Sequence, residues 1–132
     1  MENIVAVLKS MPDYIGSNGR TDDEIELAEK NLGCTFAKDY HVYLAEIGLA
    51  CFDGHELTGL TKTERLNVVS VTTEHRKLLG EAVLTWYVVE EANIDGIVVW
   101  QDANGAIYET SPNSNAKKIA ASLAEYLNTS QQ

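Results

Sequence analysis

Apolar residues fall at Ile4, Val5, Leu8 and Met11, the spacing of one helix face, and Pro12 closes that segment. Asp13 to Arg20 contains two glycines with Ser17 and Asn18 and reads as a loop. Thr21-Asp22-Asp23-Glu24 then has the form of a capping box. The Thr21 hydroxyl accepts from the Glu24 amide, and the Glu24 carboxylate reaches back to the Thr21 amide. Three acids in the first turn also suit the positive end of the helix dipole. Ile25, Ala28 and Leu32 form the buried stripe, and Gly33 supplies a left-handed cap. Tyr40, Tyr43, Leu44 and Ile47 repeat the helical spacing as far as Gly48.

Ala50 to Leu60, with Gly54 and Gly59, reads as two short strands around a turn. Val68 to Leu79 satisfies two patterns. Its start is β-branched, yet Val68, Val71, His75, Leu78 and Leu79 keep helical spacing. Asn67 as N-cap and Gly80 as C-cap tip the reading to a helix. Thr85 to Glu91 and Ile97 to Gln101 are aromatic and β-branched, as strands are. Asp102-Ala103-Asn104-Gly105 turns the chain back into Ala106 to Glu109. Ser111 to Asn115 reads as a loop, with Ser114 or Asn115 capping a last helix. That helix would bury Ile119, Leu123, Tyr126 and Leu127, and Thr129 to Gln132 would fray. The pattern predicts an α+β fold with a mostly antiparallel central sheet of about four to six strands. N-terminal helices, one middle helix and a C-terminal helix surround it.

At 132 residues with 45% hydrophobic composition, the expectation is one domain, 1–132, whose core needs no metal or disulfide staple. Ten Lys+Arg against twenty Asp+Glu leave a net charge of −10. That argues against nucleic acid and anionic membrane as partners, because both reward positive surface. It allows a cationic partner, and it also fits a merely soluble surface. Met1 is followed by Glu2, and the run Ile4–Leu8 stops at Lys9, too short for a secretory leader. No apolar run approaches the ~18 residues that span a bilayer. With only two cysteines, Cys34 and Cys51, the expected setting is the cytoplasm with reduced thiols.

Catalytic chemistry finds little footing. Cys51-Phe52-Asp53-Gly54-His55-Glu56 gathers a thiol, an imidazole and two carboxylates. Yet a zinc site brings its ligands as close pairs, and Cys34 and Cys51 are far apart in the chain; Cys51 reads as a small core hydrophobe beside a Gly54 turn. The Asp102–Gly105 segment lacks the third oxygen ligand before its glycine and the closing glutamate of a calcium loop. Glu90-Glu91 point to opposite faces of a strand, and Asp22-Asp23 are used by a helix start. No phosphate-binding, dinucleotide or nucleophile-elbow motif is present. Lys117-Lys118 falls in the first turn of the expected last helix and reads as a solvated face. The expectation is a binding protein without catalytic residues, metal or cofactor.

Binding residues concentrate on loops and strand ends of a rigid sheet. The candidate partner contacts are therefore Asp53 and Glu56 beside Gly54, Glu90 and Glu91 at a strand end, and Asp95 and Asp102 bracketing the Ile97–Gln101 strand. Trp86 or Tyr87 supplies an aromatic anchor, since alternation turns one of them away from the other. An outer sheet face left uncovered by helices would carry one aromatic together with Glu90 or Glu91.

The order of these elements resembles the SUKH superfamily of Smi/Knr-type domains. The opening series is Ile25, Ala28-Glu29, Leu32-Gly33, Phe36-Ala37, Asp39-Tyr40, Tyr43-Leu44 and Gly48. A segment of glycines and acids comes next at Asp53-Gly54-His55-Glu56-Leu57 and Gly59-Leu60. The closing series is Asp95-Gly96, Asp102, Gly105, Ile107-Tyr108, Ile119-Ala120, Ser122-Leu123 and Tyr126-Leu127. Ala37 stands where the family has proline, and Asp95-Gly96 where it has Gly-Asp. The resemblance implies an α+β domain that binds rather than catalyses. It further implies an immunity protein that neutralises a secreted toxin, a basic nuclease domain being one that the acidic charge would suit. A regulatory or scaffolding module of the same fold is the alternative.

Overall fold

The computed structural model describes residues 3–92, 94–112 and 114–130. Its five α-helices are α1 (Ile4–Lys9), α2 (Asp22–Leu32), α3 (Lys38–Glu46), α4 (Val68–Leu79) and α5 (Leu123–Ser130). The strands are β1 (Ile15–Gly16), β2 (Ala50–Phe52), β3 (His55–Glu56), β4 (Tyr87–Glu91), β5 (Val98–Gln101), β6 (Ile107–Ser111) and β7 (Ser114–Ala120). The pairings between these strands are antiparallel, in a small sheet ordered β1-β2-β3 and a larger one ordered β4-β5-β6-β7. The chain is α+β, with helices at its start, middle and end, and the larger sheet falls within the expected strand number. The two sheets join where Leu57 bridges Glu90 and the Thr58 amide donates to the Val89 carbonyl at 2.9 Å. β4 is therefore covered along its outer edge, and β7 is left as the open edge of the larger sheet.

The predicted capping box is present in full. Thr21 accepts from the Glu24 amide at 3.2 Å, and the Glu24 carboxylate accepts from the Thr21 amide at 3.1 Å. These bonds, the one to the Thr21 backbone first, hold the Glu24 carboxyl below its usual range. Gly33 closes α2 in the left-handed conformation at φ 67°. Thr21→Ala is expected to lower stability by about 1 kcal/mol in urea denaturation. An unchanged midpoint would mean that the box contributes nothing to the folded state.

One correction concerns residues 111–120. Where a loop and helix start are expected, Ser111 ends β6 and Ser114–Ala120 form β7, so the last helix begins only at Leu123. Lys117 and Lys118 lie on an edge strand opposite Glu109 and Tyr108, not in a helical turn. Lysines and register shifts on an exposed edge discourage pairing with another chain, and β7 has both. Of Thr129 to Gln132, expected to fray, Thr129 and Ser130 belong to α5, and Gln131 and Gln132 lie outside the described residues.

The main core packs α1, α2, α3 and α5 with Phe52 and Leu57 against Tyr87, Val89, Val99 and Ile107 on one face of the larger sheet. A second, smaller cluster on the other face joins Val88, Val98 and Trp100 to Val71 and Val83. Val68 at the start of α4 belongs to the first cluster and Val71 to the second, so α4 crosses the sheet edge.

Candidate partner-binding surface

Strand alternation would place Val88 and Glu90 on the same side. The register instead slips between them: Val88 faces Trp100 and Glu90 faces Val99. Val89 is the extra residue of a β-bulge, and a one-residue slip turns the residues after it to the other face. Glu90 therefore turns into the main core, 3% exposed, between β3 and α5. His55 Nδ1 and Glu90 Oε2 share a hydrogen bond of 2.7 Å, and the Tyr126 hydroxyl donates to Glu90 Oε1 at 2.6 Å. Burial, and then the Glu90 charge, push the Tyr126 phenol up. Glu91 points to the opposite face, where its Oε2 lies 2.7 Å from His75 Nε2 on α4.

Tyr87 is also turned inward. Its ring sits against Phe36 and Tyr40, and its hydroxyl accepts from the Ala37 amide and donates to Gln101 Oε1. Tyr87 and Glu90 thus drop out of the exposed candidate set, the first by alternation and the second by the bulge. Trp86 is the half-exposed aromatic, stacked on Tyr108 with ring centroids 4.0 Å apart.

Asp53 and Asp95 are turn-formers. Asp53-Gly54 has φ of 43° and 81°, and Asp95-Gly96 has φ of 52° and 69°. Two successive positive φ angles suit the twist of a hairpin, and aspartate tolerates them better than most side chains. Because Leu57 bridges Glu90 in antiparallel sense, moving back along β3 corresponds to moving forward along β4. Both tips therefore lie at one end of the molecule. Asp13, at φ 57°, joins them there, since the Asp53 amide donates to the Pro12 carbonyl. These three aspartates are the non-glycine residues at positive φ among those described. Ile94, 60% exposed, stands beside Asp95 as an apolar neighbour.

A groove of about 650 Å³ lies along α4, lined in part by Glu64, Arg65, Glu74, His75 and Glu91. Arg65 clasps Glu56 through both guanidinium nitrogens at 2.9 and 3.0 Å and holds that carboxyl below its usual range. Glu56, through Arg65, and Glu91 thereby border one groove, whereas Asp53 and Asp95 stand at the turns of the same end. Asp102 is separate: it caps the turn at the other end of β5, roughly 20 Å away at the ~3.3 Å rise of a strand. Sequence reasoning missed Asp13, Glu64, Glu74 and Ile94. Of these only Asp13, directly after Pro12, carried a local turn signal.

The Cys51–His55 combination does not assemble. Cys51 pairs with Ile15 and Glu56, whereas His55 pairs with Phe52, stacks on its ring and binds Glu90. Neighbouring positions of the ribbon thus point to opposite faces. Burial pushes the Cys34 thiol up despite Arg76 at 3.6 Å. Among the described residues no three His, Cys, Asp or Glu are grouped to hold a metal ion, and no helix is long and apolar enough to cross a membrane.

The family model described as SMI1-KNR4 cell-wall, of the SUKH group, matches residues 1–131. The chain belongs to this family. No curated protein matches it. The SMI1-KNR4 assignment gives the residues behind the resemblance a structural meaning. Asp39 accepts from Leu123 and Gln101. The Tyr40 hydroxyl meets that of Thr58 at 2.8 Å, and the Tyr43 hydroxyl donates to the Thr58 carbonyl. Gly48 and Gly59 meet backbone to backbone. These positions build the frame, while Asp53 and Asp95, which belong to the same resembling series, stand at hairpin turns.

Proposed function

We propose that this SMI1-KNR4 protein is an immunity protein that binds and neutralises a cationic toxin domain of its own cell, acting by occlusion rather than catalysis. The observation that carries the reading is the charge: −10 overall, with Asp13, Asp53 and Asp95 at turns of one end and a groove along α4 lined by Glu64, Glu74 and Glu91. A nuclease domain holds phosphates with positive surface, and a protein of opposite sign is steered onto it. The family description's reference to the cell wall favours, as second reading, a regulatory or scaffolding module of the same fold.

The test is co-expression with the toxin encoded beside its gene, and then association kinetics. Asparagine keeps the positive-φ turns but removes the charge. Asp13→Asn, Asp53→Asn and Asp95→Asn together are expected to cut the on-rate about tenfold at low salt. Neutralising Asp23, Glu26 and Glu46, exposed on α2 and α3, should change it less than about twofold. The difference should shrink at 0.15 M salt, where the Debye length is about 8 Å. Equal effects from the two sets would move the interface elsewhere. Absence of protection together with capture of a host regulatory protein would favour the second reading.

A further inference from the structure

Tyr108, on the outer face of the larger sheet, stacks on Trp86 with an interplanar angle of 10°. Both rings are half-exposed and rest against the fully buried Trp100. The Tyr108 hydroxyl donates to Asp102 Oδ2 at 3.0 Å, and Asp102 Oδ1 accepts from the Asn104 and Ala106 amides. The carboxylate is thereby fixed at the rim of the stack. Among the described residues it has no ion-pair partner. The segment leading into Trp86 carries Leu78, Leu79 and Leu84, exposed by 81%, 40% and 47%. Two π faces and a carboxylate outside the described ion pairs thus adjoin one another at the end of the sheet opposite the aspartate tips, and the exposed leucines lie on the segment that enters this end at Trp86.

Charge decides what fits there. A second copy would bring another −10 to the same surface, whereas a cationic group meets both the carboxylate and the negative faces of the rings. Guanidinium suits the place better than ammonium, because it is planar, stacks on aromatic rings and is more weakly hydrated. Lys118 lies opposite Tyr108 on β7; it is exposed and outside the described ion pairs. We infer that the Trp86–Tyr108 stack and Asp102 receive an arginine side chain flanked by apolar residues on a partner protein. This rests on the reading of a cationic partner and locates a second contact on it.

Trp86 and Trp100 are the only tryptophans, and Trp100 is fully buried, so intrinsic fluorescence reports on the stack. The probe is a capped leucyl-arginyl-leucine peptide, beside versions carrying lysine or the neutral isostere citrulline. The arginine peptide should quench saturably, lysine more weakly, and citrulline at least tenfold more weakly. Asp102→Asn keeps an acceptor for the turn amides and should lose about tenfold in arginine affinity with an unchanged circular dichroism spectrum. Equal binding of the arginine and citrulline peptides, or saturable binding of neither, overturns the inference. No toxin enters this assay, so a protein that binds the arginine peptide but protects no cell retires the toxin reading alone.

Discussion

Gly59→Ala is expected to destabilise the protein by about 3 kcal/mol or more, at the upper end of what overpacking produces. A Cβ at Gly59 would stand 2.0 Å from the Gly48 carbonyl oxygen and 3.1 Å from Leu49 Cα. Neither is the end of a flexible side chain, so relief requires one backbone segment to move. Both segments are tied. The Gly48 carbonyl accepts from Leu60, while Gly59 donates to Leu66 and accepts from Val68 at the start of α4. Arg20 adds a third strand of chain to the crossing, donating from Nε to the Leu60 carbonyl at 2.8 Å and from Nη1 to Asn18. Gly33→Ala is the useful comparison. At φ 67° with nothing within 4 Å of the added methyl, it meets only the left-handed backbone penalty of about 1–2 kcal/mol. Urea midpoints of the two variants separate the causes. Equal losses would show that the crossing yields without strain.

Local signals were legible and non-local ones were not. The capping box, Gly33 and the Asn67 cap of α4 each depend on residues within a turn of one another, and all are present. Residues 114–120 misled because Ser114 and Asn115 resemble helix caps, while the strand is fixed by pairing to Ile107–Ser111. Glu90 misled for a related reason: strict alternation gives it a face, and the bulge at Val89 reverses that face through its pairing to β5. For the candidate surface, Asp53 and Asp95 were readable as neighbours of turn glycines. Their arrival at one end depends on the Leu57–Glu90 bridge between two sheets, which no pattern along the chain announces. Asp39 lies furthest out of reach, because its meaning is a contact 84 residues away.

Asp39→Ala should cost about 3 kcal/mol, although the residue is not in the core and, among the described residues, is in no ion pair. Asp39 Oδ2 accepts from the Leu123 amide at 2.8 Å, satisfying an orphan donor at the start of α5. Its Oδ1 accepts from Gln101 Nε2 at 2.9 Å, and Gln101 is fully buried. Gln101 in turn accepts from the Tyr87 hydroxyl, which takes the Ala37 amide at the uncapped start of α3. One chain of hydrogen bonds therefore supplies the ends of two helices and crosses β4 and β5. Hydrogen bonds to a charged group contribute about 1.5–3 kcal/mol each, and a lost helix cap about 1 kcal/mol. Gln101 keeps its bond to the Gly105 carbonyl, so the loss falls short of a full sum. Asp39→Asn retains one good acceptor and should recover about half of the stability. Tyr87→Phe removes the hydroxyl from the same network, and the double variant should lose less than the two singles combined. Additive losses would mean that Asp39 and Tyr87 act separately. A loss below about 1 kcal/mol for Asp39→Ala would mean that water replaces the carboxylate at both donors.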